Sequence, residues 1–297
     1  MQKINIGIIG LGGIGGLIAS LLKKKDYKIF SNKRVKKKYI NLNLQSNFFG
    51  NFDSKIETDV HLKKVDIIFI CTKYPFLKKN IKSITNKKAL IIPFLNGLSH
   101  FKTLKKKFGK KCFISNIGKV VSKKKTEFKI THLSNNKPEV LISSFGKKNT
   151  DLKKIKKVLN TINFRTKIIK KDSNVIWNKL IRLSAISSIT SLYDCNLGQI
   201  RKSKIKMHQL NMLVKEGLKI SKKVHKFNER YSNIQKVIKT FPNSLTTSLQ
   251  RDINSNYKSE LETQIGAIVK LSNEYNVLIP MYKKIYLKLK KKCQKKS

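Results

Sequence analysis

Acidic side chains are scarce in this sequence. Only 16 Asp and Glu stand against 66 Lys and Arg among 297 residues, a formal net charge of +50. Cysteine is scarce as well. Cys71, Cys112, Cys195 and Cys293 are scattered without a C-x-x-C spacing, which argues against a zinc site and against a disulfide framework. No metal is therefore expected, and reduced thiols in a cytoplasmic protein are. Apart from the Gly-rich start there is no apolar run of roughly 18 residues, so no membrane span and no membrane partner are expected. The start itself does not read as a signal peptide. A single Lys precedes it, Gly interrupts its apolar run, and no small-residue cleavage site comes before Lys23, Lys24 and Lys25. Arginine is rare too: Arg34, Arg165, Arg182, Arg201, Arg230 and Arg251 leave 60 basic positions to Lys. These lysines run along nearly the whole length, and Asn and Ile are also abundant. The charge therefore reads as compositional drift toward AT-rich codons, spread over solvated faces. No specific nucleic-acid partner is expected, although such a chain should hold phosphate resins and DNA weakly at low salt.

What is present is concentrated at the N-terminus. Six of the 14 glycines fall between Gly7 and Gly16. A β-branched apolar run precedes them and an apolar helical run follows. Between the two, Gly10, Gly12 and Gly15 give G-x-G-x-x-G in a strand-turn-helix context. The first Gly permits the tight turn, the second lets backbone approach a pyrophosphate, and the third lets helix and strand pack. The pyrophosphate then meets free N–H groups and the positive end of the helix dipole. The expected turn comprises Gly10, Leu11, Gly12, Gly13, Ile14 and Gly15.

Residues 27–30 read as a second strand. An Asp or Glu at its end would receive the ribose hydroxyls of NAD. Here the end is Ser31, Asn32, Lys33 and Arg34, with no acid, which favours the 2′-phosphate of NADP. Residues 35–64 are polar and yield no assignment. Residues 65–70 form a continuous apolar run that reads as a buried parallel strand, and residues 77–85 read as a helix. Residues 89–95 read as the next strand, ending in Asn96 and Gly97. Catalytic groups gather at such carboxyl ends, which makes Lys73 and Asn96 site candidates. Further strands are expected over 112–118, 128–133, 140–145 and 166–169, with a helix over 151–160 and Lys-rich hairpin loops between.

From Asp172 the pattern becomes helical. Helices are expected from 172 to about 192, from 204 to 227, over 233–254 with a break at Pro242, and after Pro280. Ser259 and Glu262 read as a capping box ahead of another helix to about 276. There is no repeat and no long linker. The expected organisation is an α/β Rossmann-type dinucleotide-binding domain over 1–171 and an all-helical domain over 172–297. Within the helical part, Lys179 lies among Trp177, Leu180, Ile181 and Leu183. Desolvation there would bring its pKa toward working pH, which suits a proton donor to a nascent alkoxide. Glu260, following Ser259, falls in the first turn of a helix, where the dipole holds a carboxylate ionised.

The order of these signals resembles the ketopantoate reductase family. The matching pieces are Gly10 to Gly15, Arg34-Val35, Thr72-Lys73, Asn96-Gly97-Leu98, Trp177 to Leu180, Ser248 to Asp252, and Ser259 to Gly266. The resemblance implies a helical second domain like the C-terminal domain of 6-phosphogluconate dehydrogenase. It implies NADPH-dependent reduction of 2-dehydropantoate, a small 2-oxo acid, to (R)-pantoate in pantothenate and coenzyme A biosynthesis. Lys179 would be the general acid, Glu260 would bond the substrate hydroxyl, and Asn96 would position nicotinamide and substrate. Ser248 would hold the substrate carboxylate, and Lys73 and Arg34 would contact cofactor phosphate or ribose. A homodimer is compatible with it. The family often carries two Asn one and two turns after the Lys. Here those places hold Leu183 and Ser187, so either substrate contacts shift, to Ser187, Ser184 or Ser188, or the substrate is a different 2-oxo acid. A polyanion-binding protein keeping a vestigial nucleotide fold is the alternative of a different class.

Overall fold

Buried β-branched residues build the first sheet. The computed structural model describes residues 4–33, 38–146 and 149–294. In chain order the first part runs β1 (Asn5–Ile9), α1 (Gly13–Lys24), β2 (Lys28–Ser31), β3 (Tyr39–Ser46), β4 (Phe52–Thr58), β5 (Ile67–Ile70), α2 (Leu77–Asn80), β6 (Leu90–Pro93) and α3 (Ser99–Phe108). It continues with β7 (Ile114–Gly118), β8 (Ser122–Lys124), β9 (Lys129–His132), β10 (Glu139–Ser143), α4 (Asp151–Thr161) and β11 (Arg165–Ile168). Among the described residues, eight strands form one sheet in the order β6-β5-β1-β2-β4-β3-β9-β8, and three form a second, β11-β10-β7. The pairs β6–β5, β5–β1, β1–β2 and β2–β4 are parallel.

Side-chain alternation explains the layering. Ile6, Ile8, Ile67, Phe69, Leu90 and Ile92 point to one face, under Leu17, Ile18 and Leu22 of α1 and Ile155 and Leu159 of α4. Ile9, Ile68, Ile70 and Ile91 point to the other, with Leu77 and Leu104 of α2 and α3. Strands covered on both faces read as unbroken apolar runs, as 65–70 does.

Three stretches differ from the sequence reading. The unassigned 35–64 region supplies the antiparallel pair β3 and β4. Ile40, Leu42 and Leu44 are buried in alternation with Asn41 and Asn43, whose low strand propensity hid the period. The helix expected over 77–85 shrinks to α2 flanked by tight single turns. Ser83 Oγ takes the Asn80 carbonyl (2.7 Å) and Lys107 Nζ takes that of Ile81 (2.7 Å), so side chains replace helical hydrogen bonds. The Lys-rich segment before β9 holds β8 rather than only a loop.

The remaining elements are α5 (Asp172–Tyr193), α6 (Leu197–Arg201), α7 (Lys204–His225), α8 (Tyr231–Lys239), α9 (Ser248–Asn254), a π-helical turn at Glu262–Gly266, α10 (Ala267–Glu274) and α11 (Pro280–Gln294). Trp177, Ile181, Ile189, Leu213, Ile220, Ile268 and Tyr282 form their core. Trp177 Nε1 donates to His225 Nδ1 at 2.8 Å, which satisfies the buried indole. The break expected at Pro242 within 233–254 separates α8 from α9. Arg201 donates to the carbonyls of Ile238, Lys239 and Phe241 at 2.9–3.1 Å and so closes the end of α8. The N-terminus of α11 is capped from another helix: Met281 and Tyr282 N–H each donate to the Glu216 carboxylate at 2.9 Å.

The chain divides into two compact units. One comprises Met1–Leu95 and His100–Val175, the other Asn96–Ser99 and Ile176–Ser297. Asn96 and its neighbours thus belong to the helical unit although they follow β6. Among the described residues, no helix is long and apolar enough to cross a membrane.

Candidate active site

In the first unit, β1 lies between β2 and β5, so its end is the point where the strand order reverses. Such a point opens a crevice beyond the strand ends. The turn there is built as its glycines require. Gly10 has φ +92°, and a Cβ on it would lie 2.7 Å from Thr72 N. A Cβ on Gly15 would lie 2.0 Å from the Gly10 carbonyl oxygen. At Gly12 an added Cβ meets nothing within 4 Å, so space is left above the backbone that should face a ligand. Gly12 is also the N-cap of α1, which has no side-chain cap and no acid in its first turn. The first amides of α1 are therefore free of a competing carboxylate, and the cradle fits a pyrophosphate. Leu11 is buried and Ile14 packs against the core, so both offer backbone only.

Lys73 is half-buried and lies just past β5, whose extension is tied to β1 by Cys71 N–H to the Ile9 carbonyl (2.7 Å). Burial pushes the Cys71 thiol up, so it is no nucleophile. Thr72 is occupied by Asn80, whose Nδ2 donates to it at 3.0 Å. Arg34 lies outside the described residues. Lys33 is described, and its ammonium donates to Glu127.

In the helical unit, Asn96, Lys179 and Glu260 come together. Asn96 Nδ2 donates to Glu260 Oε2 at 3.1 Å across 164 residues of sequence. The segment after Asn96 is laced to the π turn: Leu98 N–H donates to the Thr263 carbonyl (3.0 Å) and Thr263 Oγ1 donates to the Asn96 carbonyl (3.3 Å). Gly97 is needed for this approach. Its φ is +92°, and a Cβ would stand 2.1 Å from the Thr263 oxygen. The sequence marks Asn96 as a site candidate by its place after β6, but it does not show that Gly97 is required for packing against the π turn.

Glu260 is buried and immediately precedes the first helical residue, Leu261. Its carbonyl accepts from Thr263 and Gln264 N–H (3.2 and 3.1 Å). The expected capping box does not form. Ser259 Oγ accepts only a long bond from Leu261 N–H (3.4 Å), and Glu262 turns away to accept both its bonds from Tyr286 Oη (2.9 Å). Lys179, on α5, has its pKa lowered to about 8. Burial is the main cause and Arg182 adds to it, while the Glu260 carboxylate pulls the other way. A desolvated ammonium beside a carboxylate, with an amide fixing that carboxylate, is suited to hand a proton to a developing alkoxide.

The serines are placed less directly. Thr247 caps α9, and its hydroxyl meets that of Thr190 on α5 at 3.1 Å. Ser248 follows Thr247 half-buried, and Ser187 lies one turn before Thr190, so the two flank this junction. The Ser187 and Ser188 hydroxyls are buried with no hydrogen-bond partner among the described residues. Ser184 is committed to structure through Tyr282 Oη (2.6 Å). Sequence reading missed Arg182 and Gln264. Arg182 lies three residues after Lys179, and its signal was the rarity of Arg. Gln264 sits in the π turn with its whole amide buried and, among the described residues, without a hydrogen-bond partner, and only the packing reveals that.

Residues 6–145 match the description of ketopantoate reductase PanE/ApbA, and residues 173–293 match that of its C-terminal part. An uncharacterized oxidoreductase, YkpB of Bacillus subtilis (strain 168), is 21% identical over 95% of this chain and 96% of its own. Among solved structures, D-mandelate dehydrogenase with NADH and anilino(oxo)acetate superposes with a TM-score of 0.87 at 18% identity, over 99% of both chains. A dimeric ketopantoate reductase from Staphylococcus aureus superposes with a TM-score of 0.83 at 19% identity, over 99% of this chain and all of that one. At such identities the superpositions speak for the fold, an N-terminal Rossmann-type unit and a helical C-terminal unit. The two family matches follow one another along the sequence and together span most of it, and on that ground the chain belongs to the ketopantoate reductase family, a family of nicotinamide-dependent 2-oxo acid reductases.

Proposed function

We propose that this protein is an NADPH-dependent reductase of a 2-oxo acid, with 2-dehydropantoate to (R)-pantoate, a step of pantothenate and coenzyme A biosynthesis, as the leading reaction. The observation that carries this reading is Lys179, drawn to a pKa of about 8 beside a Glu260 that Asn96 holds. The nucleotide, when bound, supplies a hydride to the carbonyl carbon. The turn from Gly10 to Gly15 would hold its pyrophosphate, and Lys33, Arg34 and Lys73 would meet ribose or phosphate. Lys179 donates its proton to the carbonyl oxygen as negative charge develops there. Glu260 keeps Lys179 protonated and accepts the substrate hydroxyl. Ser248 and Ser187 bind the carboxylate end. A homodimer in the cytoplasm is the expected form, and four cysteines that form no disulfide among the described residues fit a reducing compartment.

A second reading, another 2-oxo acid as substrate, is favoured by Leu183. It lies one turn after Lys179, is only half-buried, and is not among the residues that pack into the helical core. An apolar side chain left at that place suits an apolar substituent on the acid. Steady-state NADPH oxidation with a panel of 2-oxo acids tests both. Turnover of 2-dehydropantoate above all others supports the first reading, and preference for a branched or aromatic acid supports the second. No turnover with any of them refutes the reductase assignment.

A further inference from the structure

The hairpin of β8 and β9 stands against the Gly-rich turn. Ser122 Oγ donates to the Gly13 carbonyl at 2.8 Å, and a Cβ on Gly13 would lie 2.2 Å from the Ser122 oxygen. A Cβ on Gly16 would lie 2.6 Å from Ile130 Cδ1. Two glycines that the G-x-G-x-x-G pattern does not itself require, Gly13 at an x position and Gly16 just after it, are thus explained by this hairpin. Its tip reaches the end of β2. The Lys33 ammonium donates to the Glu127 carboxylate and lies 4.5 Å from the centre of the Phe128 ring. The Lys33 N–H donates to Ser31 Oγ at 3.2 Å, which fixes its backbone. Lys33 holds the Glu127 carboxyl below its ordinary range, first by that hydrogen bond and then by its charge.

The end of the second strand is where the adenosine ribose of a bound dinucleotide comes. The local sequence supplies no acid there. The fold supplies one, from 94 residues downstream. A carboxylate at that place does two things. It competes with a 2′-phosphate for the Lys33 ammonium, and it offers an acceptor to ribose hydroxyls. We infer that the β8–β9 hairpin is a cofactor-selectivity element, in which Glu127 holds down the preference for NADP over NAD. The inference rests on the nucleotide reading above and deepens it: both nucleotides are taken, and Glu127 sets their ratio.

Calorimetric titration of the intact protein with adenosine 2′,5′-bisphosphate and with 5′-AMP, at about 50 mM salt where surface charges are little screened, tests this without turnover. Glu127→Gln should tighten the bisphosphate by roughly three- to fivefold, the range of an exposed ion pair, and leave 5′-AMP within about twofold. In a Lys33→Ala background that gain should fall to within about twofold. An unmoved ratio of the two affinities, or equal changes in both, overturns the inference alone. An undiminished gain without Lys33 overturns the competition for its ammonium. Wild-type protein that binds neither ligand overturns the nucleotide reading, and this inference falls with it.

Discussion

Lys179 carries a charge that its surroundings disfavour. With a pKa of about 8, the proposed proton donor is protonated below that pH and loses the proton above it. The rate of 2-oxo acid reduction should therefore be level at lower pH and fall as pH rises through about 8. The reverse oxidation needs the neutral amine and should rise over the same range. Lys179→Ala should lower kcat by about a hundredfold or more and remove this limb from the pH–rate profile. Glu260 raises the Lys179 pKa, so Glu260→Gln should move the limb to lower pH while keeping a side chain that can meet Asn96. A profile that does not move would show that Lys179 does not feel that charge. Stability follows by linkage. Between about 8 and the ordinary value of 10.5 the folded chain holds fewer protons at Lys179 than the unfolded chain. Its contribution to stability therefore rises with pH across that window and is least favourable below it. At this scale the sequence was partly legible. Apolar neighbours marked Lys179, and scarcity marked Glu260, but nothing local joined Asn96 to Glu260.

Among the elements, the π turn at Glu262–Gly266 matters most to the site. An extra residue in the turn lets Thr263 face the backbone of Asn96 and Leu98, and π-helical turns recur where a helix has been bent to a functional purpose. The S-x-x-E pattern at Ser259 predicted a regular capped start. The pattern was overridden because Tyr286 on α11 supplies Glu262 with a better donor than a backbone amide. The N-terminus of α11 depends in turn on Glu216 of α7. Burial raises the Glu216 carboxyl despite its two backbone hydrogen bonds. Glu216→Ala should leave the Met281 and Tyr282 amides unpaired and cost about 1–3 kcal/mol. A lower Tm at pH 7 with an unchanged KM for nucleotide checks this. A raised KM would mean that α11 acts on the site as well as on the core. Strands covered on both faces were readable as apolar runs. β3, β8 and the short α2 were not: Asn and Lys at strand positions hid the period of β3 and β8 although β4 and β9 follow closely in the sequence, and side chains take the carbonyls that would have continued α2.

For the whole molecule the dominant fact is a net charge of +50 with few acids to offset it. Ion pairs among the described residues include Lys33–Glu127, Lys111–Asp151, Lys119–Glu139 and Arg165–Glu139, all partly exposed. Exposed pairs of this kind are worth little each, so self-repulsion should show in the stability of the folded chain. Raising salt from about 10 mM to about 0.3 M shortens the screening length severalfold and should raise Tm, unlike the small change usual for a neutral protein. Retention on DNA should be lost over the same range if the lysines are a solvated coat. Binding that survives physiological salt would argue for a selected polyanion site.

By itself, the sequence determined what depends on neighbours along the chain. The Gly10–Gly15 turn was legible because tight turning, close approach and a free helix N-terminus are all set within one strand, one turn and one helix. The buried parallel strands were legible because burial on both faces writes an unbroken apolar run. The family was legible because its motifs keep their order. Only the tertiary structure decided that Asn96 and Gly97 belong to the helical unit, that Glu260 is gripped by Asn96, and that Glu127 stands at the end of β2. Each is a hydrogen bond or ion pair between residues 94 or 164 positions apart. Electrostatics and packing act through space, and no spacing in the sequence records which distant side chain will arrive.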